Sequence, residues 1–360
     1  MTRSICPLLL TAAVLLASSC QSTPPSGPKH LINPVEAGQL GYRYQWAEDL
    51  GIPGGRRVGD VRVVDDLIIV VESPINLVTA LSLRDGSPRW TKQVGDAPSR
   101  LYISDRHADR ILVNSETHLY HLDYYSGDIA KIQTLKSPVE HAAVLVRGQA
   151  LFGGLNGHVF AHDLDDGLFR WAYDVGAPIA ASPIVTANNL LVTNAQGQYH
   201  LLTADGSILK SGRTFARISA TPAVNKSEIY VASEDHTLYA LTQPTLQDRW
   251  KYRAPRPLTK SPIIIQNAVY VPVPHYGLIA IDALTGDVLW EFRDRGAHPV
   301  EARDGRVLLQ TANELQLVSV NTGTTISRVA TKPLMTVLRA GTRSLILVSP
   351  RGELMRLDRD

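Results

Sequence analysis

From Leu278 to Trp290 the chain reads LIAIDALTGDVLW, an alternation of apolar and polar residues, a turn, and a second alternation carrying tryptophan. A period of two is the pattern of a half-buried strand, and Gly with Thr or Asp between two such runs marks a tight turn. The pattern returns. LVTALSLRDGSPRW ends at Trp90, VFAHDLDDGLFRW at Trp171 and LYALTQPTLQDRW at Trp250. Copies without tryptophan begin at Leu119, Tyr199 and Leu315, and the fragment LMRLDRD closes the chain. The turn glycines are Gly86, Gly127, Gly167, Gly206, Gly286 and Gly323, with gaps of 41, 40, 39, 80 and 37. The gap of 80 spans a copy in which Leu246 stands for the glycine. A repeat of about 40 residues built from short strands indicates a β-propeller.

Each unit reads as four strands. Between Pro262 and Arg293, PIIIQ, AVYVPV, LIAIDA and VLWEFR are separated by Asn267, by His275-Tyr276-Gly277 and by Thr285-Gly286-Asp287. Asn156-Gly157 has the chemistry of a type I′ hairpin turn. Ala80, Ala161, Ala240 and Ala280 share one position, where a small side chain is expected to make room for a tryptophan of the next blade. Asp123, Asp163, Asp282 and Asp358 share another and are expected to staple the following turn rather than act as acid–base groups. Seven copies are complete and the eighth lacks its last strand. YRYQWAEDL from Tyr42, carrying Trp46, supplies it. The predicted fold is therefore all-β: residues 41–360 form a single eight-bladed propeller of four-stranded antiparallel blades, closed by pairing of the N- and C-terminal strands. That closure removes two open sheet edges. If one weak copy is not a blade, the count is seven.

The first residues follow another logic. Arg3, the apolar run PLLLTAAVLLA and the small residues before Cys20 read as a signal peptide over 1–19. ASSC, ending at Cys20, resembles a bacterial lipobox, which implies lipidation of Cys20. A plain secretory signal cleaved after Ser19 is the alternative, giving a soluble periplasmic protein. Gln21 in place of aspartate implies sorting to the outer membrane. Residues 20–40, including STPPSGPKH, are expected to form a flexible tether. Cys6 and Cys20 are the only cysteines, so the ring has no disulfide, thiol nucleophile or thiolate metal site.

The pattern A-x-D-x-x-T-G-x-x-x-W, complete at Ala280, Asp282, Thr285, Gly286 and Trp290, resembles the PQQ-like propeller repeat. The resemblance covers nearly all of the chain after Cys20. That repeat builds quinoprotein alcohol dehydrogenases and the non-catalytic BamB-type outer-membrane assembly lipoproteins, and the layout here is most like the latter. It implies an exported scaffold for protein partners, among them the barrel-assembly machinery, and no enzyme. The alternatives are an envelope propeller that binds glycans or small ligands and a PQQ-dependent dehydrogenase. The vicinal cysteine pair of the dehydrogenases is missing, so no cofactor and no catalytic residue is expected. One fold hosts many functions.

Other chemistry finds no footing. G-x-S-x-G, Walker-type and H-E-x-x-H motifs are absent. His158 and His162 share one strand face without an evident third ligand, so no metal is expected and they read as surface or inter-blade residues. A net charge of +2 argues against nucleic acid. A basic series stands out: Arg213, Arg253 and Arg293 lie 40 apart, followed by Arg217, Arg256 and Arg295, with Lys260 beside them. Connections between successive blades emerge on one face, so these seven residues are the candidate partner-binding arc. The structural markers are Trp46, Trp90, Trp171, Trp250, Trp290 and the turn glycines Gly86, Gly127, Gly167 and Gly286.

Overall fold

The computed structural model describes residues 30–186 and 189–359. Within them the repeats fold as eight sheets of four antiparallel strands. Blades 1 to 7 span residues 57–93, 102–134, 144–174, 184–213, 223–253, 263–292 and 298–330. Blade 8 combines 336–359 with the strand Tyr42–Asp49. First strands neighbour one another around the axis, including Thr336–Ala340 of blade 8 and Arg57–Val64 of blade 1, so the ring is closed. Fourth strands form the rim, and that of blade 4, Ile208–Arg213, is exposed along almost its whole length.

Blades adhere through the tryptophans. Each is on a fourth strand, and its indole reaches the third-to-fourth turn of the next blade. Trp46 Nε1 donates to Leu83 O (3.2 Å), Trp90 to Tyr124 O (3.0 Å), Trp250 to Ala283 O (3.1 Å) and Trp290 to Val320 O (2.8 Å). Trp171 instead donates to Gln149 of its own blade. The ring of each tryptophan lies on the turn glycine. A Cβ on Gly286, which has φ +83°, would come within 2.7 Å of Trp250 Cδ2. The next-blade partner of the indole is thus a glycine. The alanines stand elsewhere: Ala80, Ala161, Ala240 and Ala280 pair directly with Trp90, Trp171, Trp250 and Trp290 of their own blades. A small residue opposite a large one lets the indole lean across its own sheet.

This contact explains the repeat without glycine. Blade 4 has Lys210 opposite Leu201, where blades 1, 3, 5, 6 and 8 carry tryptophan and blades 2 and 7 carry Lys131 and Ser327. No indole covers the next turn, which leaves room for a side chain: Leu246 sits there at φ +54°, buried in the cluster that includes Leu201 and Tyr199, whereas Gly167, which also follows a blade without tryptophan, is covered by Lys131 and Gln133. The turn aspartates act as staples: Asp123 Oδ1 accepts from Tyr125 N and Ser126 N, Asp163 Oδ1 from Asp165 N and Asp166 N, and Asp282 Oδ1 from Leu284 N and Thr285 N. Asp358 instead pairs with Arg356. Asn156-Gly157 is not a type I′ turn, since Gly157 has positive φ and Asn156 does not. Consecutive positive φ, as that turn requires, occurs between first and second strands, at Arg147-Gly148 and Asp304-Gly305.

The closing strand pairs with Glu353–Arg359, Tyr44 opposite Leu357 and Trp46 opposite Arg356. A buried ionic knot lies beside this seam. Glu301 of blade 7, 4% exposed, accepts from the Tyr42 hydroxyl and from Arg359 Nη2 at 2.7 Å. Arg303 Nε lies 3.6 Å and Arg339 Nε 4.0 Å from the same carboxylate. Arg303 Nη2 also donates to the carbonyls of Leu40 and Gly41. Burial, with the Glu301 charge beside it, pushes the Tyr42 phenol above its usual range.

The expected tether is corrected from residue 30 onward. Leu31 and Ile32 are buried, Ile32 bridges to Thr331, and Lys332 N donates to Leu31 O. Asn33 caps a short helix, Pro34–Ala37, and Ala37 and Leu40 enter the core of blades 7 and 8. The apolar LI pair and the N-cap with proline at N1 account for this order. Residues 1–29, with the signal, lipobox and Cys20 expectations, lie outside the described residues.

Three buried histidines sit on the third strands of blades 2 to 4. His121 Nε2 meets Gln133 Oε1 at 2.9 Å, and His200 Nδ1 meets Ser211 Oγ at 2.8 Å. His162 packs edge-on against Phe152, Phe160 and Phe169, and neither ring nitrogen has a hydrogen-bond partner. Burial pushes all three imidazoles below their ordinary value.

Gly286→Ala combines left-handed strain with the Trp250 clash and is expected to cost about 3 kcal/mol in urea unfolding. Gly305→Ala, also at positive φ but with no atom within 4 Å of its Cβ, should lose only about 1–2 kcal/mol. Glu301→Ala leaves Arg359 beside an empty acceptor and should cost about 3–5 kcal/mol by the same measurement. The histidines stay neutral in the folded ring while the unfolded chain takes up protons. Stability should therefore fall as pH drops through the ordinary imidazole value, about 6.5. His162→Phe should show a smaller loss of melting temperature between pH 7.5 and 5.5 than the unaltered chain.

Candidate functional site

Strand alternation fixes which side chains share a face. Every fourth-to-first connection crosses the same side of the ring, together with every second-to-third turn. Arg213 and Arg253 end the fourth strands of blades 4 and 5, and Arg293 directly follows that of blade 6. Arg217, Arg256, Lys260 and Arg295 lie on the three connections that follow. All seven are exposed and face one side. The structure brings two pairs of them into common hollows: Arg213 with Arg217 beside Gln196 and Gln198, and Lys260 with Arg295 in the cleft between blades 6 and 7.

They are not equally available. Arg293 is committed to its own blade: its guanidinium pairs with Glu291 at 2.5 Å and stacks over Tyr276 at 3.9 Å. Arg217 Nε is 3.8 Å from Glu234. Arg213, Arg253, Arg256, Lys260 and Arg295 have no acidic partner among the described residues. The nearby acids on the blade 5 turn are engaged. Glu234 accepts from Ser219 Oγ, and Asp235 accepts from the Phe215 N–H and the Tyr239 hydroxyl. The free cations therefore leave a positive field that a partner's carboxylates can complete through charge-assisted hydrogen bonds.

Sequence reasoning passed over Phe215. It sits between Arg213 and Arg217 with 90% of its surface exposed, held out by the Asp235 bond to its backbone. An aromatic anchor amid arginines has the composition of an interaction hot spot. The signal was available as a lone aromatic residue in a polar connection. The cleft between blades 6 and 7 was not visible, because Lys260 and Arg295 are 35 positions apart and meet only through the blade.

His158 and His162 do share a strand, but His162 is enclosed by aromatic rings and His158 lies near Asn156. Among the described residues, no group of three or more His, Cys, Asp or Glu is placed to hold a metal ion. No helix among them is long and apolar enough to cross a membrane.

Solved structures share this architecture. BamB from Moraxella catarrhalis superposes with a TM-score of 0.71 at 20% identity, covering 88% of this chain and 97% of that one. The quinohemoprotein alcohol dehydrogenase from Comamonas testosteroni gives 0.67 at 12% identity, covering 89% and 77%. A computationally designed protein, Ika8, gives 0.70 at 10% identity, covering 88% and 99%. At such identities the likeness shows the fold. No curated protein matches the sequence. The family model described as outer membrane protein assembly factor BamB matches residues 36–184 and 155–360, across both halves of the ring. This eight-bladed PQQ-like propeller belongs to the family of outer membrane protein assembly factor BamB.

Proposed function

We propose that this chain is a non-catalytic scaffold of the cell envelope that holds protein partners during outer-membrane protein assembly. The family match along the whole ring carries the reading. The exposed cations on one face supply the surface through which partners dock: Arg213, Arg253 and Arg256 have no acidic partner among the described residues, and Phe215 stands among them. Such a surface favours acidic partner segments and speeds their encounter. On this reading Cys20 carries a lipid that keeps the ring at the inner surface of the outer membrane.

The dehydrogenase fold match raises a second chemistry, PQQ-dependent oxidation. The residues of the ring do not fit it. Residues 30–360 contain no cysteine, so the vicinal pair of those enzymes has no counterpart, and we derive no step through that cofactor.

The test uses the full-length chain in cell envelopes, with a photo-crosslinking amino acid at position 215. Crosslinks to a barrel-assembly protein are expected. Arg213→Glu combined with Arg253→Glu should reduce them about tenfold while leaving the melting temperature unchanged. Undiminished crosslinking would return these arginines to the solvated surface. Alcohol oxidation with turnover by the purified chain, supplied with PQQ and Ca²⁺, would overturn the scaffold reading.

A further inference from the structure

Connections between blades differ in length. Nine residues, 254–262, cross from blade 5 to blade 6, but only five, 293–297, cross from blade 6 to blade 7. Both crossings border one end of blade 6, the long one through Lys260 and Ser261 and the short one through Arg295, Gly296 and Ala297. A cleft of about 710 Å³ opens there, within the size range of binding pockets. Its wall is apolar and stiff: Ile263, Val273 and Ala297, with Pro272 and Pro274 removing backbone donors. Lys260 and Arg295 line it from the two connections, and His275 and His298 complete the polar part. Among the described residues, no carboxylate lines it. The nearest acid in sequence, Asp294, lies outside, its carboxyl pushed up by burial and by the Glu314 charge.

We infer that this cleft receives one apolar side chain of an extended partner segment, with acidic residues on either side of it meeting Lys260 and Arg295. The inference rests on the scaffold reading and names the chemistry that the docking face selects. Each part of the cleft requires its share of that description. An apolar wall gains little from a purely charged ligand, since burying it stabilises only against apolar surface. A basic rim with no carboxylate of its own disfavours a purely apolar ligand, which would desolvate the cations without pairing them. Arg256 lies on the same connection as Lys260, so a bound segment that leaves the cleft on that side runs on toward the arginines of blades 4 and 5. The prolines pre-form the wall, so little ordering entropy opposes binding.

The experiment measures fluorescence anisotropy of labelled, end-capped peptides with the full-length chain. The reference peptide has a central leucine flanked on each side by two aspartates and serine spacers. Replacing leucine by serine should weaken binding at least fivefold, and replacing the aspartates by asparagine at least tenfold. In the protein, Lys260→Glu with Arg295→Glu should reproduce the asparagine loss. Ser261→Phe, at an exposed position lining the cleft, should reproduce the serine loss. Thermal melts confirm that both variants fold. Equal affinity for the leucine and serine peptides would overturn the inference and leave general electrostatic docking. Absence of all peptide binding, with crosslinking at position 215 intact, would overturn it and leave the scaffold standing. Loss of both would sink the scaffold reading as well. Octanoate binding that depends on Ser261 and Arg295, without peptide binding, would make the cleft a small-carboxylate site and overturn the peptide inference.

Discussion

Everything in this ring depends on the two ends of the polypeptide being held together. Seven blades follow one another along the chain, but the eighth exists only when Tyr42–Asp49 lies beside Glu353–Arg359. Strand pairing alone would leave the seam no stronger than any other pair of strands. The buried Glu301 changes that, because one carboxylate from blade 7 engages Tyr42 of the first strand and Arg359 of the last. Arg303 then ties the chain just before the first strand through the carbonyls of Leu40 and Gly41. A buried ion pair of this kind is weak evidence for net stability. Its geometry favours the native closing strand, because any other strand at that edge would lack the Tyr42 hydroxyl that Glu301 accepts from.

Between blades the recurring device is an indole on a glycine. The glycine is required twice over, once for its positive φ and once because a Cβ would strike the ring of the preceding blade. The exceptions follow the same logic. Where blade 4 offers Lys210 instead of tryptophan, the next turn tolerates Leu246, and the leucine fills the space itself. At this one contact the irregularity of blade 4 is compensated in blade 5, while after blade 2 the side chains of Lys131 and Gln133 cover Gly167 instead. With the core so constructed, the connections are free to vary in length and charge, and the proposed scaffold role and the proposed peptide cleft both draw on that freedom.

The basic arc shows how local sequence and tertiary placement divide the work. Period and topology put seven cations on one face, but their availability differs. Arg293 is spent on Glu291 and Tyr276, whereas Arg213 and Arg253 are unpaired among the described residues. Spacing cannot distinguish these cases, since it does not say whether an acid or an aromatic ring lies within reach across the blade. The same holds for Phe215, whose exposure depends on Asp235 from another turn.

The architecture was legible along the chain: the two-residue alternation, the 40-residue period, the turn glycines and the missing fourth strand of the eighth copy are local or periodic facts that survive without coordinates. Turn stapling by Asp123, Asp163 and Asp282 was legible for the same reason, each acting within three residues of itself. The contacts that came only from folding join groups far apart in the chain. The partner of each tryptophan proved to be the next blade's glycine and not an alanine, residues 30–40 proved to be packed on blades 7 and 8, and Glu301 found partners 259 and 58 positions away. The cleft at Lys260 and Arg295 belongs to the same class. Such contacts depend on how twisted sheets lean on one another around an axis, and no pattern along the chain encodes a distance across it.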